Sequence, residues 1–420
     1  YRNRVTVSAT SGQMTRMTKA QDYFVKSKLI ATKKAQLYAF AQYRILDYEQ
    51  ADLSSEKNIN ARLNYSQSLW DNTLRLNTAL ETNNGTLPQQ EFTYVQVEPG
   101  QGVYTWNDYN NDGVQDLEEF DIAQFQDQAT YIRILLPNQT FVKVRRTSIS
   151  QQAVWQFSAW KDQKGLKGLL SHFYNQTALL IDRKVKREGQ SLFDQPFSIN
   201  NQDDLGLQYN LKNTLFYNRS QQRYTTAYSY LKNKSSQLVA LAPQISELEQ
   251  HQVSFDHLMD RIYLFHIDAA TGYKKATSAN FGQRNYTLNQ SHVMPQMSLL
   301  WGTGSRFNVF YKAQHKENIV GQQERLVQTT IGGLCNYNKT QKLSLTIETK
   351  YIENKFTGIP YSAVAYTMLE GLQPGTNFTW SALIQRQISS YLNLNLSYFG
   401  RKSSQGPVVH SGSVQLKALF

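Results

Sequence analysis

Leu392, Leu394, Leu396 and Tyr398 alternate with Asn393, Asn395 and Ser397, and Leu343, Leu345 and Ile347 alternate with Ser344, Thr346 and Glu348. A period of two puts successive side chains on opposite faces of a strand, so each segment has one apolar and one polar face. No other feature constrains the fold as strongly, because the pattern recurs along most of the chain. Near the start, Leu37, Ala39, Ala41, Tyr43 and Ile45 fall on one face, and Ala61, Leu63 and Tyr65 alternate with Arg62, Asn64 and Ser66. Trp70-Asp71-Asn72 is a tight turn leading back into Leu74, Leu76, Thr78 and Leu80. Further strands are expected at 4–10, 153–160, 205–217, 223–231, 253–265, 294–301, 306–312, 326–337, 343–351, 378–388, 391–399 and 409–420. Short turns (Gly302-Thr303-Gly304, Asn338-Lys339-Thr340, Ser389-Ser390) alternate with longer polar loops (182–204, 314–324, 353–360).

Two solutions accommodate such alternation. A soluble sandwich turns its apolar faces inward. A transmembrane barrel turns them outward to lipid and keeps a polar interior, with short turns at one end and long loops at the other. The chain contains no apolar run of about 18 residues, which excludes a membrane helix, but a spanning β-strand needs only ~9–11 alternating residues. The polar faces are rich in Asn, Gln, Ser and Thr and thin in charge: Asp, Glu, Lys and Arg make up 18% of the chain, while Tyr alone numbers 26. Trp301, Tyr311, Tyr351, Trp380 and Tyr398 stand where interfacial aromatic girdles would lie. The fold expected is therefore all-β: an antiparallel outer-membrane β-barrel, or the C-terminal part of one. Strands are expected over 1–91 and 147–420, with a small inserted module over 92–146.

That module carries the one local motif that specifies a ligand. Asp108, Asn110, Asp112, Gly113 and Glu119 match the EF-hand loop D-x-[DN]-x-[DN]-G-x5-E. Ca²⁺ takes about six to eight oxygens, with Gly permitting the sharp turn and a final bidentate Glu closing the site. Val114 would lend its carbonyl, and Asp116 would act directly or through water. Leu117, Phe120 and Phe125 suit one face of a short exit helix, whereas Tyr104-Thr105-Trp106 before the loop reads as extended, so this is a half-motif suited to fixing structure. The bland alternative is an Asp/Asn/Gly turn that binds nothing. Downstream, Tyr131–Leu136 and Thr140–Arg145 suggest a hairpin around Pro137-Asn138.

Other chemistry is sparse. The single Cys335 excludes an intramolecular disulfide and a Cys-rich zinc site. The seven histidines are scattered, and there is no G-x-S-x-G elbow, P-loop or dinucleotide fingerprint, so no enzyme is expected. Gly332-Gly333 inside a strand reads as close packing or a bulge. The net charge of +12 is spread along the strands; a basic lumen or loops facing anionic headgroups explain it without nucleic acid.

The last strand places Val414, Leu416, Ala418 and Phe420 on one face and closes on Phe. This ending resembles the sorting signal of bacterial outer-membrane barrels, which implies recognition by the barrel-assembly machinery. Gly102–Phe141 and Leu369–Phe420 resemble segments of large, mostly uncharacterised surface and outer-membrane proteins of the Bacteroidota. That resemblance implies an outer-membrane location and a longer parent protein, and it implies no activity. The role expected is that of a surface scaffold, conduit or docking component in contact with outer-membrane lipid and other surface proteins. The alternative is a secreted, soluble all-β adhesin or glycan-binding protein with a calcium-stabilised loop.

Overall fold

The computed structural model describes residues 1–10, 13–48, 55–187, 204–219, 223–239, 242–279, 281–302, 304–339, 342–389 and 391–418. They form one antiparallel sheet of 20 strands with two short helices. The strands are β1 (Arg2–Thr10), β2 (Gln13–Ala31), β3 (Ala35–Tyr48), β4 (Glu56–Leu69), β5 (Leu74–Gln96), β6 (Tyr104–Trp106) and β7 (Phe120–Ile122). They continue as β8 (Tyr131–Gln156), β9 (Phe173–Lys186), β10 (Asp204–Tyr217), β11 (Tyr224–Val239), β12 (Ala242–Met259), β13 (Tyr263–Ser278) and β14 (Tyr286–Trp301). The last are β15 (Ser305–Asn318), β16 (Arg325–Lys339), β17 (Leu343–Thr357), β18 (Gly375–Ser389), β19 (Leu392–Ser403) and β20 (Val409–Ala418). Helix α1 is Leu166–Leu170 and α2 is Ala363–Leu369. Two compact units result. One holds Tyr1–Glu91, Pro137–Leu215 and Leu231–Ile245; the other holds Phe92–Leu136, Phe216–Tyr230 and Ser246–Phe420.

In the first unit β1 to β5 pair in sequence order. The registers bring Tyr43 between Tyr23 and Ile59, Ala41 between Val25 and Ala61, and Leu63 between Ala39 and Leu80. The other face carries Asp22, Gln42 and Asn60, linked through Gln42, and the ion pair Arg62–Glu81 at 2.8 Å. The tight turn at Trp70-Asp71-Asn72 forms as expected, with three consecutive left-handed residues at φ 48°, 50° and 69°.

The second unit runs β13 to β20 in unbroken sequence order. Because the strands alternate in direction, the loops carrying 279–285, 319–324, α2 and 404–408 all emerge at one end, and the turns after β14, β16 and β18 at the other. Cross-strand partners share a face, so register traces rows across the sheet. One row reads Leu299, Phe307, Cys335, Ile347, Ala382, Tyr398 and Gly412 over seven strands without a charge. This apolar face is the open one: Phe307, Val309, Tyr311, Val327, Ile331 and Tyr351 are each more than two-fifths exposed. The polar face is the covered one. Ser298, Asn308, Gln314, Asn318, Gln328, Asn354 and Asn377 are all buried, as is Lys316.

Gly332 and Gly400 are close-packing positions, as the strand glycines suggest. A Cβ on Gly332 would meet the Phe310 ring at 2.3 Å, and one on Gly400 the Trp380 ring at 2.1 Å; the register is unbroken at both positions. Four expectations need correction. The hairpin around Pro137-Asn138 is absent, since β8 runs on from Tyr131 and pairs with β9 through Gln156. The strand expected to Trp160 ends at Gln156, and Ser158–Trp160 is a 3₁₀ turn. The loop read at 353–360 begins as strand, since β17 runs on to Thr357, and helix α2 follows where no element was expected. Closure is also not seen: among the described residues β1 pairs only with β2, and β20 only with β19. The terminal Phe420 lies outside the described residues.

Candidate functional site

The EF-hand-like loop is the connection of a miniature hairpin. β6 and β7 pair as Tyr104↔Ile122, Thr105↔Asp121 and Trp106↔Phe120, and the Asn107 amide donates to the Glu119 carbonyl at 2.9 Å to close the stem. The expected exit helix over Leu117–Phe125 is therefore replaced by a single 3₁₀ turn, Leu117–Glu119, followed by strand. The reason is aromatic packing. Phe120, 3% exposed, stacks on Tyr94 at 4.0 Å and meets Tyr131 edge-on at 5.0 Å. Only an extended Phe120–Ile122 segment brings that ring onto β5 and β8 while pairing with β6.

The calcium-type residues divide into two groups. Asp108, Asn110 and Asp112 wrap the turn: Asp108 accepts from the amides of Asp112 and Gly113 (3.2 and 3.0 Å), Asn110 from Asp112 (2.9 Å) and Asp112 from Val114 (2.7 Å). Gly113 (φ 72°) and Asn111 (φ 56°) supply the left-handed conformations this requires. Val114 is exposed, and its carbonyl accepts from the Asp116 amide at 3.1 Å. Asp116 precedes the 3₁₀ turn without capping it. Glu119 is set apart, buried at 3% exposure, and its two carboxylate oxygens accept from Trp106 Nε1 (2.8 Å) and the Tyr109 amide (3.2 Å). Among the described residues no three or more His, Cys, Asp or Glu side chains converge as a metal-binding group. The donor set is nonetheless all hard oxygen and held on one loop.

Asp121, which the sequence pattern did not single out, is the buried centre behind the loop. It is 3% exposed and accepts from Asn107 Nδ2 at 2.9 Å, from the Tyr109 hydroxyl and from the Arg284 guanidinium. Burial pushes the Tyr109 phenol well above its ordinary range, and the Asp121 anion beside it pushes it further. Arg284 also donates to the Phe120 carbonyl at 2.7 Å, tying this hairpin to the loop after β13. A second tie is Arg401 on β19, which forks onto Asp127 and lies 4.4 Å from the Phe125 ring. A third is the Tyr366 hydroxyl, which accepts from the Gln124 amide at 3.1 Å.

Tyr366 belongs to α2. Ser362 caps this helix by accepting from the Ala365 amide at 3.1 Å, and Val364, Ala365, Met368 and Leu369 pack on Tyr286, Leu288 and Leu326. At its C-terminus Glu370, left-handed at φ 56°, pairs with Lys316 at 2.7 Å, and Lys316 also donates to the Met368 carbonyl at 2.9 Å. Partial desolvation pushes the Glu370 carboxyl up, but the Lys316 ammonium outweighs it and holds the group below the usual carboxylate range. The sequence did carry a signal for α2: a capping Ser followed by apolar residues at helical spacing.

No family model matches the chain, and no curated protein does either. Among solved structures, that of the P pilus usher (PapC) translocation pore matches at 9% identity with a TM-score of 0.22, covering 96% of this chain and 96% of that one. Superposition that loose carries no weight on fold or on role.

Proposed function

We propose that this chain is an outer-membrane β-barrel, or part of one, that acts as a surface scaffold, conduit or docking component of the bacterial envelope. The observation that carries the reading is the inverted polarity of the second unit: buried Asn, Gln, Ser and Lys on one face of β14–β18, and open Val, Ile, Phe and Tyr on the other. A water-soluble sandwich buries its apolar face. A sheet surrounded by lipid exposes it and keeps its polar face inward. Strands of 14 to 16 residues over β13–β18 exceed the ~9–11 needed to span. In lipid the open edges of β1 and β20 would also have to be paired, because unsatisfied backbone groups there cost several kcal/mol each.

Asp108, Asn110, Asp112, Asp116 and Glu119, with the Val114 carbonyl, would hold one Ca²⁺ that screens their charge and orders the hairpin. Glu119 would exchange at least one of its present partners for the ion. The barrel-assembly machinery is the partner this reading requires during biogenesis, and other surface proteins are the partners a docking role requires. The test is alkaline washing of membranes, then gel mobility of the detergent extract boiled against unboiled. Retention in the pellet with a shift on boiling is expected. Release into the supernatant would replace this reading with the soluble adhesin.

A further inference from the structure

On the polar face of β2–β5, Asp22 lies 3.7 Å from Arg44 and Glu81 lies 2.8 Å from Arg62. Lys26 and Lys28 have no such match, and they stand beside two rings that a polar face does not need. Register sets out three rows: Lys28–Tyr38–Asn64, Lys26–Phe40–Arg62–Glu81 and Phe24–Gln42–Asn60–Asn83. All of these side chains share one face, because cross-strand partners do and so do alternate positions along a strand. The grid lines a cavity of about 710 Å³, with Tyr38 and Phe40 among Lys26, Gln42, Asn60 and Arg62. Tyr38 also lines a neighbouring hollow of about 470 Å³ with Lys28, Gln36, Asn64 and Asn77, further residues of the same face. Both volumes fall in the range of small-molecule sites, about 300–1,000 Å³. Among the described residues neither ring meets another aromatic ring, neither lysine has a carboxylate partner, and the Tyr38 hydroxyl makes no hydrogen bond.

We propose that this face binds an oligosaccharide bearing carboxylate groups. A pyranose presents a patch of C–H hydrogens on its faces and hydroxyls around its edge. The C–H patch suits the electron-rich face of an aromatic ring. Tyr38 and Phe40, roughly 7 Å apart along β3, offer platforms for successive sugars. Hydroxyls both donate and accept, which matches the Gln42, Asn60 and Asn64 amides and the Arg62–Glu81 pair. Arg62 and Glu81 neutralise each other, so Lys26 and Lys28 leave unmatched positive charge, and a sugar carboxylate is the group that satisfies it. A wholly apolar ligand would leave the amides unpaired, and a bare phosphate would leave the rings unused. The site is on the polar face, so it stands whether the apolar face meets lipid or water.

The test is calorimetric titration of the full chain, in a zwitterionic detergent without a sugar headgroup, with trigalacturonate and with maltotriose as its uncharged counterpart. Saturable binding of trigalacturonate is expected, weakening as salt is raised. Maltotriose, which offers the lysines nothing, is expected to bind at least about tenfold more weakly. Tyr38→Ala with Phe40→Ala is expected to weaken trigalacturonate binding at least about tenfold. Tyr43→Ala, which removes a ring from the opposite face of β3, is expected to leave it unchanged. Each variant is first checked for the parent's mobility unboiled. Should the double-ring variant not fold, Lys26→Glu with Lys28→Glu is expected to abolish binding, while Lys26→Arg with Lys28→Arg retains it. Absence of saturable trigalacturonate binding, undiminished binding without the two rings, or maltotriose binding as tightly overturns the proposal. So does displacement of the sugar by inorganic pyrophosphate, which would mark a site for anions of any kind.

Discussion

Replacing Ile331 with Arg separates a lipid-facing sheet from a water-facing one. Ile331 is 56% exposed and stands six residues after Arg325 and eight before Lys339 on β16. At ~3.4 Å per residue it is about 20 and 27 Å from the two strand ends. In a tilted strand crossing a hydrocarbon core ~30 Å thick, that is close to the midplane. Its cross-strand neighbours on the same face are Tyr311 and Tyr351, so an introduced guanidinium has no carboxylate beside it. At the midplane Arg costs about 2–4 kcal/mol, or roughly 30- to 700-fold in the unfolding equilibrium at ~1.4 kcal/mol per tenfold. On a water-facing surface the same change stays within about 0.5 kcal/mol. The assay is urea unfolding of protein refolded into phosphatidylcholine vesicles, followed by the fraction resisting denaturation on unboiled gels. Val327→Arg is the internal control. It lies on the same face beside His315 and Lys355 near the loop end, where the cost should fall to about 0–1 kcal/mol. Equal effects at both positions, or an Ile331→Arg cost under about 0.5 kcal/mol, would refute the lipid-facing assignment.

The remaining predictions concern the parts held at the loop end. Asp108→Asn with Asp112→Asn is expected to abolish bound calcium while leaving the sheet intact; terbium luminescence sensitised by Trp106, whose Nε1 reaches Glu119, reads it directly, and undiminished emission would disprove the site. Arg284→Met leaves the buried Asp121 carboxylate without its cation and is expected to loosen the hairpin by about 3 kcal/mol. Hydrogen exchange at Phe120–Ile122 should rise while exchange in β16 does not, and unaltered exchange at Phe120 would contradict the proposed tie. For Glu370, whose folded pKa is depressed by Lys316, the pair's stabilisation is present above the ordinary carboxylate range of about 4.3. It is lost as pH falls through the lower folded value. Protection of α2 from proteolysis should therefore decline below about pH 4 in the parent, and Glu370→Gln should abolish that dependence.

The alternation read from Leu343–Glu348 and Leu392–Tyr398 was sufficient to place those strands, because a strand's side-chain period depends on backbone geometry alone. It could not say which face is covered. That required the registers, which show Ser298, Asn308 and Gln328 on one face and Leu299, Phe307 and Val327 on the other. The loop around Gly113 was legible for the same local reason: its turn depends on left-handed residues and short oxygen side chains close in sequence. The path after Glu119 was not legible. Leu117, Phe120 and Phe125 have helical spacing, but Phe120 is claimed by Tyr94 and Tyr131, which lie far from it in the chain, and packing of that kind overrides local propensity. Asp121 went unnoticed for a related reason, since its partners Tyr109 and Arg284 are brought to it only by the fold. Pro137 misled in the opposite sense, as a turn residue accommodated within a continuous strand.

These long-range contacts change what the calcium-type loop can do. On sequence grounds a single unpaired loop fixes only its own shape. In the fold its second residue, Tyr109, and the residue before it, Asn107, share the Asp121 carboxylate with Arg284 from the loop after β13. Glu119 holds the Tyr109 amide at the same time. Any ion that draws Glu119 into the loop therefore acts on Tyr109, and through Asp121 on the anchor that joins the hairpin to the sheet. Calcium and the Arg284 tie should accordingly be coupled, and the coupling must be reciprocal in free energy. Terbium affinity in Arg284→Met ought to differ from that of the parent by the same factor by which terbium alters protection of the Phe120 amide. Independent responses would show that the loop and the anchor are merely adjacent.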